Sequence, residues 1–109
     1  MKLNILGTEY TLERHKEYED DRLHDCGGYC DYNSRKLVVQ DFGTEKPWTL
    51  DHLEDSMLLN TRHEIMHAFF QESGLGSDSV FGQNEELVGW LAIQLPKIVA
   101  VMRNAGCLE

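Results

Sequence analysis

Between Asp51 and Ser73 the apolar residues Leu53, Met57, Leu58, Ile65, Met66, Phe69 and Phe70 recur at spacings of three, four and seven. That is the period of a helix, and it predicts one long helix over residues 51–73. A helix of that length in a chain of 109 residues needs a second layer to pack against. Gly74 supplies a stop in the left-handed conformation. Residues 74–83, GLGSDSVFGQ, read as a loop, and Asn84 reads as the N-cap of a second long helix running to about Asn104. Pro96 lies inside that helix and predicts a kink near Ala92 or an interruption there.

The N-terminal half supplies the other layer. Leu3 to Leu6, a turn at Gly7-Thr8-Glu9, and Tyr10 to Leu12 read as a short hairpin. Residues 16–25, KEYEDDRLHD, are too charged for a buried element and read as an exposed loop or edge. Gly27-Gly28 reads as a turn. Tyr29 to Tyr32 and Lys36 to Val39, flanking Asn33-Ser34-Arg35, read as a second hairpin. Strands followed by helices define an α+β class. The expected architecture is N-terminal β-hairpins forming a small sheet, then two long helices, in one domain spanning 1–109.

Ten Lys and Arg stand against 19 Asp and Glu, a formal charge of −9. A nucleic-acid backbone or an anionic membrane as main partner is thereby disfavoured, because both require clustered positive charge. No apolar run approaches a membrane span, and Asn4 and Gly7 interrupt what would be the apolar stretch of a signal peptide. Three cysteines without such a signal argue against a disulfide framework and make a cytoplasmic location the expectation.

The first long helix contains His63-Glu64-Ile65-Met66-His67, an H-E-x-x-H pattern. Residues four apart differ by about 40° around a helix, so His63 and His67 stack on one face. Two imidazoles so placed can share one zinc ion. Glu64 can reach a water beside them and act as general base for hydrolysis of a polarised carbonyl. A catalytic site needs a third protein ligand. Glu72 faces away, about 140° from His67 on the same helix, and Asp78 lies in the loop. Glu85 and Glu86 open the second helix, where the macrodipole also favours acidic residues in helices without a metal.

With these residues the chain resembles the gluzincin metallopeptidases, whose H-E-x-x-H helix is completed by a glutamate on a following helix. The pairing of HEIMHAFFQESGL with NEELVGWLAIQLP is most similar to minimal, phage- or mobile-element-type members near the ImmA/IrrE group. The resemblance implies a zincin-like minimal domain with Zn2+ on His63, His67 and Glu85, Glu64 as the catalytic base, and Ala92 in the family frame. It implies a protein or peptide substrate, held as an added strand beside the first helix by one of the hairpin strands. The aspartate that the frame places four residues after the ligand falls on Gly89, so Asp55 or a backbone carbonyl would have to support a histidine. The oxyanion donor is open among Tyr29, Tyr32 and His52.

The competing function is a catalytically inactive, zinc-stabilised protein-binding module. Gly89 favours it, and the intact Glu64 disfavours it. A second metal cluster from His24, Cys26 and Cys30 is the weaker alternative site, and Trp48, Phe69, Phe70 and Trp90 read as core.

Overall fold

The computed structural model describes residues 1–43 and 53–108. The predicted helix start at Asp51, Trp48 and His52 lie outside the described residues. The described elements are strands β1 (Lys2–Ile5), β2 (Thr8–His15), β3 (Gly28–Asp31) and β4 (Lys36–Gln40), then helices α1 (Leu53–Glu72), α2 (Leu75–Asp78) and α3 (Glu85–Asn104). The α+β class and the order of sheet before helices are as expected.

The four strands form one sheet in the order β1-β2-β4-β3. Each hairpin is antiparallel, and the two are joined by parallel pairing of β2 with β4, Leu12 opposite Leu37 and His15 opposite Gln40. Parallel neighbours need a crossover between them. Residues 16–27 begin that crossover, which explains their structure: two single 3-10 turns, Glu17–Glu19 and Asp21–Leu23, with Leu23 fully buried. Most of residues 16–25 are exposed, as expected of a loop or edge, and the buried Leu23 is the departure.

The first hairpin turns at Leu6-Gly7, one residue earlier than expected, with φ of 51° and 92°. A two-residue turn of that hand needs positive φ at both positions, and glycine takes the second without strain. Gly28 belongs to β3 and not to a turn, because the space above it is occupied. A Cβ there would stand 2.7 Å from the Val38 carbonyl oxygen and 3.3 Å from Glu64 Cγ and Oε2. A glycine at this point lets α1 lie close on the sheet.

One sheet face and α1 enclose the core. Leu37 stands in register with Leu12 and Cys30, and Ile5, Tyr10, Leu37 and Ala68 are buried together, with Leu3 and Ile65 packed against them. The Tyr10 hydroxyl donates to Glu72 Oε2 at 2.8 Å and ties the C-terminal end of α1 to β2. On the opposite face Val38 is buried beneath a polar network. His15 meets Asp20 (3.1 Å) and Glu13 (2.8 Å), and Tyr29 donates to Asp20 at 2.5 Å. Arg22 pairs with Asp31 at 2.8 Å and lies 4.0 Å over the Tyr29 ring.

The helices depart from expectation after Gly74 and at Trp90 and Phe69. The loop after Gly74 contains α2. Trp90 is 54% exposed and is not core, because α3 buries only the narrow stripe of Val88 and Ala92. Phe69 is likewise at the surface, whereas Phe70 is buried edge-on to Phe81 with centroids 5.7 Å apart. Pro96 does not interrupt α3, which continues from Glu85 to Asn104. The Ala92 carbonyl, four residues before Pro96, accepts from Arg62 Nε at 2.5 Å, so the acceptor that proline leaves unpaired is satisfied from α1.

The packing around the two glycines has opposite consequences for stability. Gly28→Ala should destabilise the fold by about 1–3 kcal/mol, the usual cost of overpacking. Gly89→Ala, where a Cβ meets nothing within 4 Å, should stabilise it by up to about 1 kcal/mol through helix propensity. Urea unfolding of the two variants should show opposite signs.

The polar network makes stability depend on pH. Hydrogen bonds to Asp20 and then Glu13 raise the His15 pKa, and the Tyr29 bond foremost lowers that of Asp20. The His15 contribution is therefore full below the ordinary imidazole value and is lost as pH rises through the raised one. The Asp20 contribution is full above the ordinary carboxylate value and is lost as pH falls through the lowered one. The network stabilises most between about pH 4 and 6.5. The melting-temperature gap between wild type and His15→Gln should be widest there and narrow toward pH 9; a gap independent of pH would contradict the assignment.

Candidate metal centre

The metal group is assembled from two helices. His63 and His67 lie one turn apart on α1, and their rings meet edge-on with centroids 4.8 Å apart. Their Nε2 atoms face each other at 3.1 Å. Glu85 is the first residue of α3, whose start is fixed by Asn84: its side-chain oxygen accepts from the Leu87 N–H at 3.0 Å, as an N-cap does. From that position Glu85 Oε2 stands 3.0 Å from His63 Nε2, and Oε1 stands 3.0 Å from His67 Nε2.

These distances suit a cation. Donor atoms about 2.0–2.1 Å from a tetrahedral ion are about 3.3 Å from one another. With each ring carrying its proton on Nδ1, both Nε2 lone pairs are free to point into the centre. Burial holds the His67 pKa below the ordinary imidazole value, which favours the neutral ring that binds metals. Among the described residues, His63, His67 and Glu85 are the group of three His, Cys, Asp or Glu side chains able to hold a metal ion.

Glu64 is the buried carboxylate of α1, 6% exposed, set against Gly28 of β3. Burial, helped by the nearby negative charge of Glu85, pushes its pKa up to about 7. A carboxyl near neutrality can exchange a proton at physiological pH, which is what a general base needs.

The structure separates the remaining candidates. Glu86 is exposed and outside the metal group. Glu72 is engaged with Tyr10 and Thr8 at the far end of α1. Asp78 belongs to α2, and its side chain lies outside the described residues. Asp55 stands eight residues before His63, about 12 Å along the helix and beyond hydrogen-bonding reach of the ring.

Tyr29 faces away, bonded to Asp20 on the other side of the sheet. Tyr32 lies on the metal side: its phenol pKa is raised by burial first, then by Cys30, Glu64 and Glu85. The cluster of His24, Cys26 and Cys30 does not form. His24 pairs with Glu17 and Asp25, Cys26 donates to the Arg22 carbonyl, and Cys30 is in the helix-facing core. Burial pushes the Cys30 thiol up to about 12, which leaves it protonated and unreactive.

Two contributors have no clear signature in the sequence. Gly28 reads as a turn residue there, because a glycine beside a strand has several structural meanings. Arg62 belongs to no motif. Its only signal is Pro96, which predicts an unpaired carbonyl on Ala92 without indicating what satisfies it.

No known family model, curated protein or solved structure matches the chain. None of the described helices is long and apolar enough to cross a membrane. The functional reading therefore rests on the geometry of the centre itself.

The centre predicts one transition-metal ion per chain. Glu85→Ala should weaken binding by more than about 100-fold, beyond what loss of an outer-shell partner costs, while Glu86→Ala should change it little. Elemental analysis and titration measure both. A chelator should lower the melting temperature of the loaded protein, because the ion binds the folded state.

Proposed function

We propose that the chain is a minimal zinc metallopeptidase of the gluzincin type, similar to the ImmA/IrrE group, with His63, His67 and Glu85 as ligands and Glu64 as catalytic base. The observation that carries the reading is the approach of Glu85 to both histidine Nε2 atoms at 3.0 Å, with a carboxyl titrating near neutrality on the intervening turn of α1. Two neutral-capable imidazoles and one carboxylate suit zinc. Zinc, when bound, supplies a Lewis acid and lowers the pKa of water to about 7.

The chain's own residues supply the rest. Glu64 takes a proton from water on one carboxylate oxygen and returns it to the leaving amine. Its burial in the α1–β3 contact keeps that oxygen out of bulk solvent. Among the described strands β3 has a neighbour only on its β4 side. Its other edge would take an extended peptide, held by main-chain hydrogen bonds with little demand on sequence. Tyr32, immediately after β3 and under the field of Glu64 and Glu85, is the phenol suited to donate to the developing oxyanion.

One observation favours the second reading, a zinc-stabilised binding module without activity. Gly89 leaves open space where a supporting aspartate would stand. Glu64→Gln decides between the two. It keeps size and hydrogen bonding but cannot accept the proton. It should retain the ion and the fold and lose peptidase activity by about 10²–10⁴-fold. The substrate for the assay is the protein trapped by the Glu64→Gln form. A partner bound but left uncut by the zinc-loaded wild type would establish the module instead.

A further inference from the structure

Pro96 brings no N–H to the Ala92 carbonyl, and Ala92 is fully buried. A buried carbonyl without a partner is costly, so its acceptor must be satisfied from elsewhere. Arg62 Nε does so at 2.5 Å, reaching from α1 to α3. Arg62 immediately precedes His63, the first ligand of the candidate metal centre. We infer that Arg62 is a positioning residue: by engaging the carbonyl that Pro96 frees, it sets the axial register of α3 on α1 and so holds Glu85 at the two histidines. The inference rests on the metal-centre reading given above.

The helices run antiparallel, with Arg62 meeting Ala92 and His67 meeting Glu85. The two links are seven residues apart on α3, about 10 Å along its axis. Between them lies Val88, fully buried. Apolar contact alone resists separation of two helices better than it resists sliding, because it is non-directional. A hydrogen bond from a guanidinium to one particular carbonyl is directional and fixes the slide. Glu85 needs this, because it is exposed and its hydrogen-bond partners among the described residues are the two histidines. A slip of one residue would move it by about 1.5 Å and turn it by about 100°, whereas a metal site tolerates about 0.2 Å. Proline is integral to the device: with an N–H at position 96 the helix would satisfy Ala92 by itself, and Arg62 would have no fixed acceptor on α3.

The test is a two-by-two set: wild type, Arg62→Met, Pro96→Ala and the double variant. Zinc affinity is read by competition with a chromophoric chelator, and stability by urea unfolding in EDTA. Arg62→Met should weaken zinc binding by about 10–100-fold, the range for loss of a group that orients a ligand. Pro96→Ala gives the Ala92 carbonyl a helical N–H in place of Arg62 and should weaken zinc binding to a similar extent. The double variant should bind no worse than either single one, because the two changes break the same link. Arg62→Gln, shorter but still a donor, replaces Arg62→Met if the latter does not fold. Unchanged affinity in Arg62→Met or in Pro96→Ala, or losses that add in the double variant, overturns the inference. If the wild type binds no zinc, the metal-centre reading fails, and the EDTA series judges the register lock by itself. A loss of stability in Arg62→Met that shrinks in the Pro96→Ala background supports it, and equal losses in both backgrounds overturn it.

Discussion

The close approach of α1 to the β3–β4 edge is the contact on which the rest depends. It exists because Gly28 has no side chain: the Val38 carbonyl and the Glu64 side chain occupy the space a Cβ would need. Gly27, the preceding residue, acts in the same way, since a Cβ there would strike the Asn60 side chain. With the helix lying close on the sheet, the geometry of residues 63–67 is decided. Successive helical positions turn by about 100°, so Glu64 points into the sheet while His63 and His67 point toward α3. A single glycine pair thus sets both the burial of the candidate base and the direction of the two candidate ligands on α1.

Much of the fold is legible in the sequence where a local period carries it. The long helix follows from apolar spacing, both hairpins from turn residues and β-branched arms, and the start of α3 from Asn84. The pairing of hairpins is not legible. Parallel alignment of β2 with β4 depends on Leu12 meeting Leu37, two residues whose own neighbourhoods say nothing about each other. The crossover through residues 16–27 looks like solvated loop because its core residue, Leu23, is hidden among charges. Trp90 departs from expectation for a related reason: apolar character places a residue on a helix face, but only the partner helix decides which face is covered.

The metal group is legible to the extent that it is local. His63 and His67 share a helix, and their spacing settles their geometry. Glu85 sits on another helix, and the residues around it leave Glu86 open; the N-cap at Asn84 and the docking of α3 decide between them. Docking is the non-local contribution, and the polar links that define it, Arg62 with Ala92 and Tyr10 with Glu72, join residues 30 and 62 positions apart. Neither link has a sequence motif. Both tie down α1, one along its α3-facing side and one at its C-terminal end, in a molecule whose core is small.

The distribution of the candidate ligands over two helices has a topological consequence. His67 and Glu85 are 18 residues apart in the chain, and the segment between them contains α2 and the turns around it. An ion held at both ends would close that segment into a ring, as a disulfide does, and would remove loop-closure entropy of the same order, about 3 kcal/mol for a ring near this size. Unlike a disulfide, that closure would open and shut with the free metal concentration. A chain cut anywhere between residues 74 and 84 would remain one particle while the ion stayed bound. Once the ion was withdrawn from the nicked chain, the Arg62–Ala92 bond and the buried Val88 and Ala92 would have to hold α3 on α1.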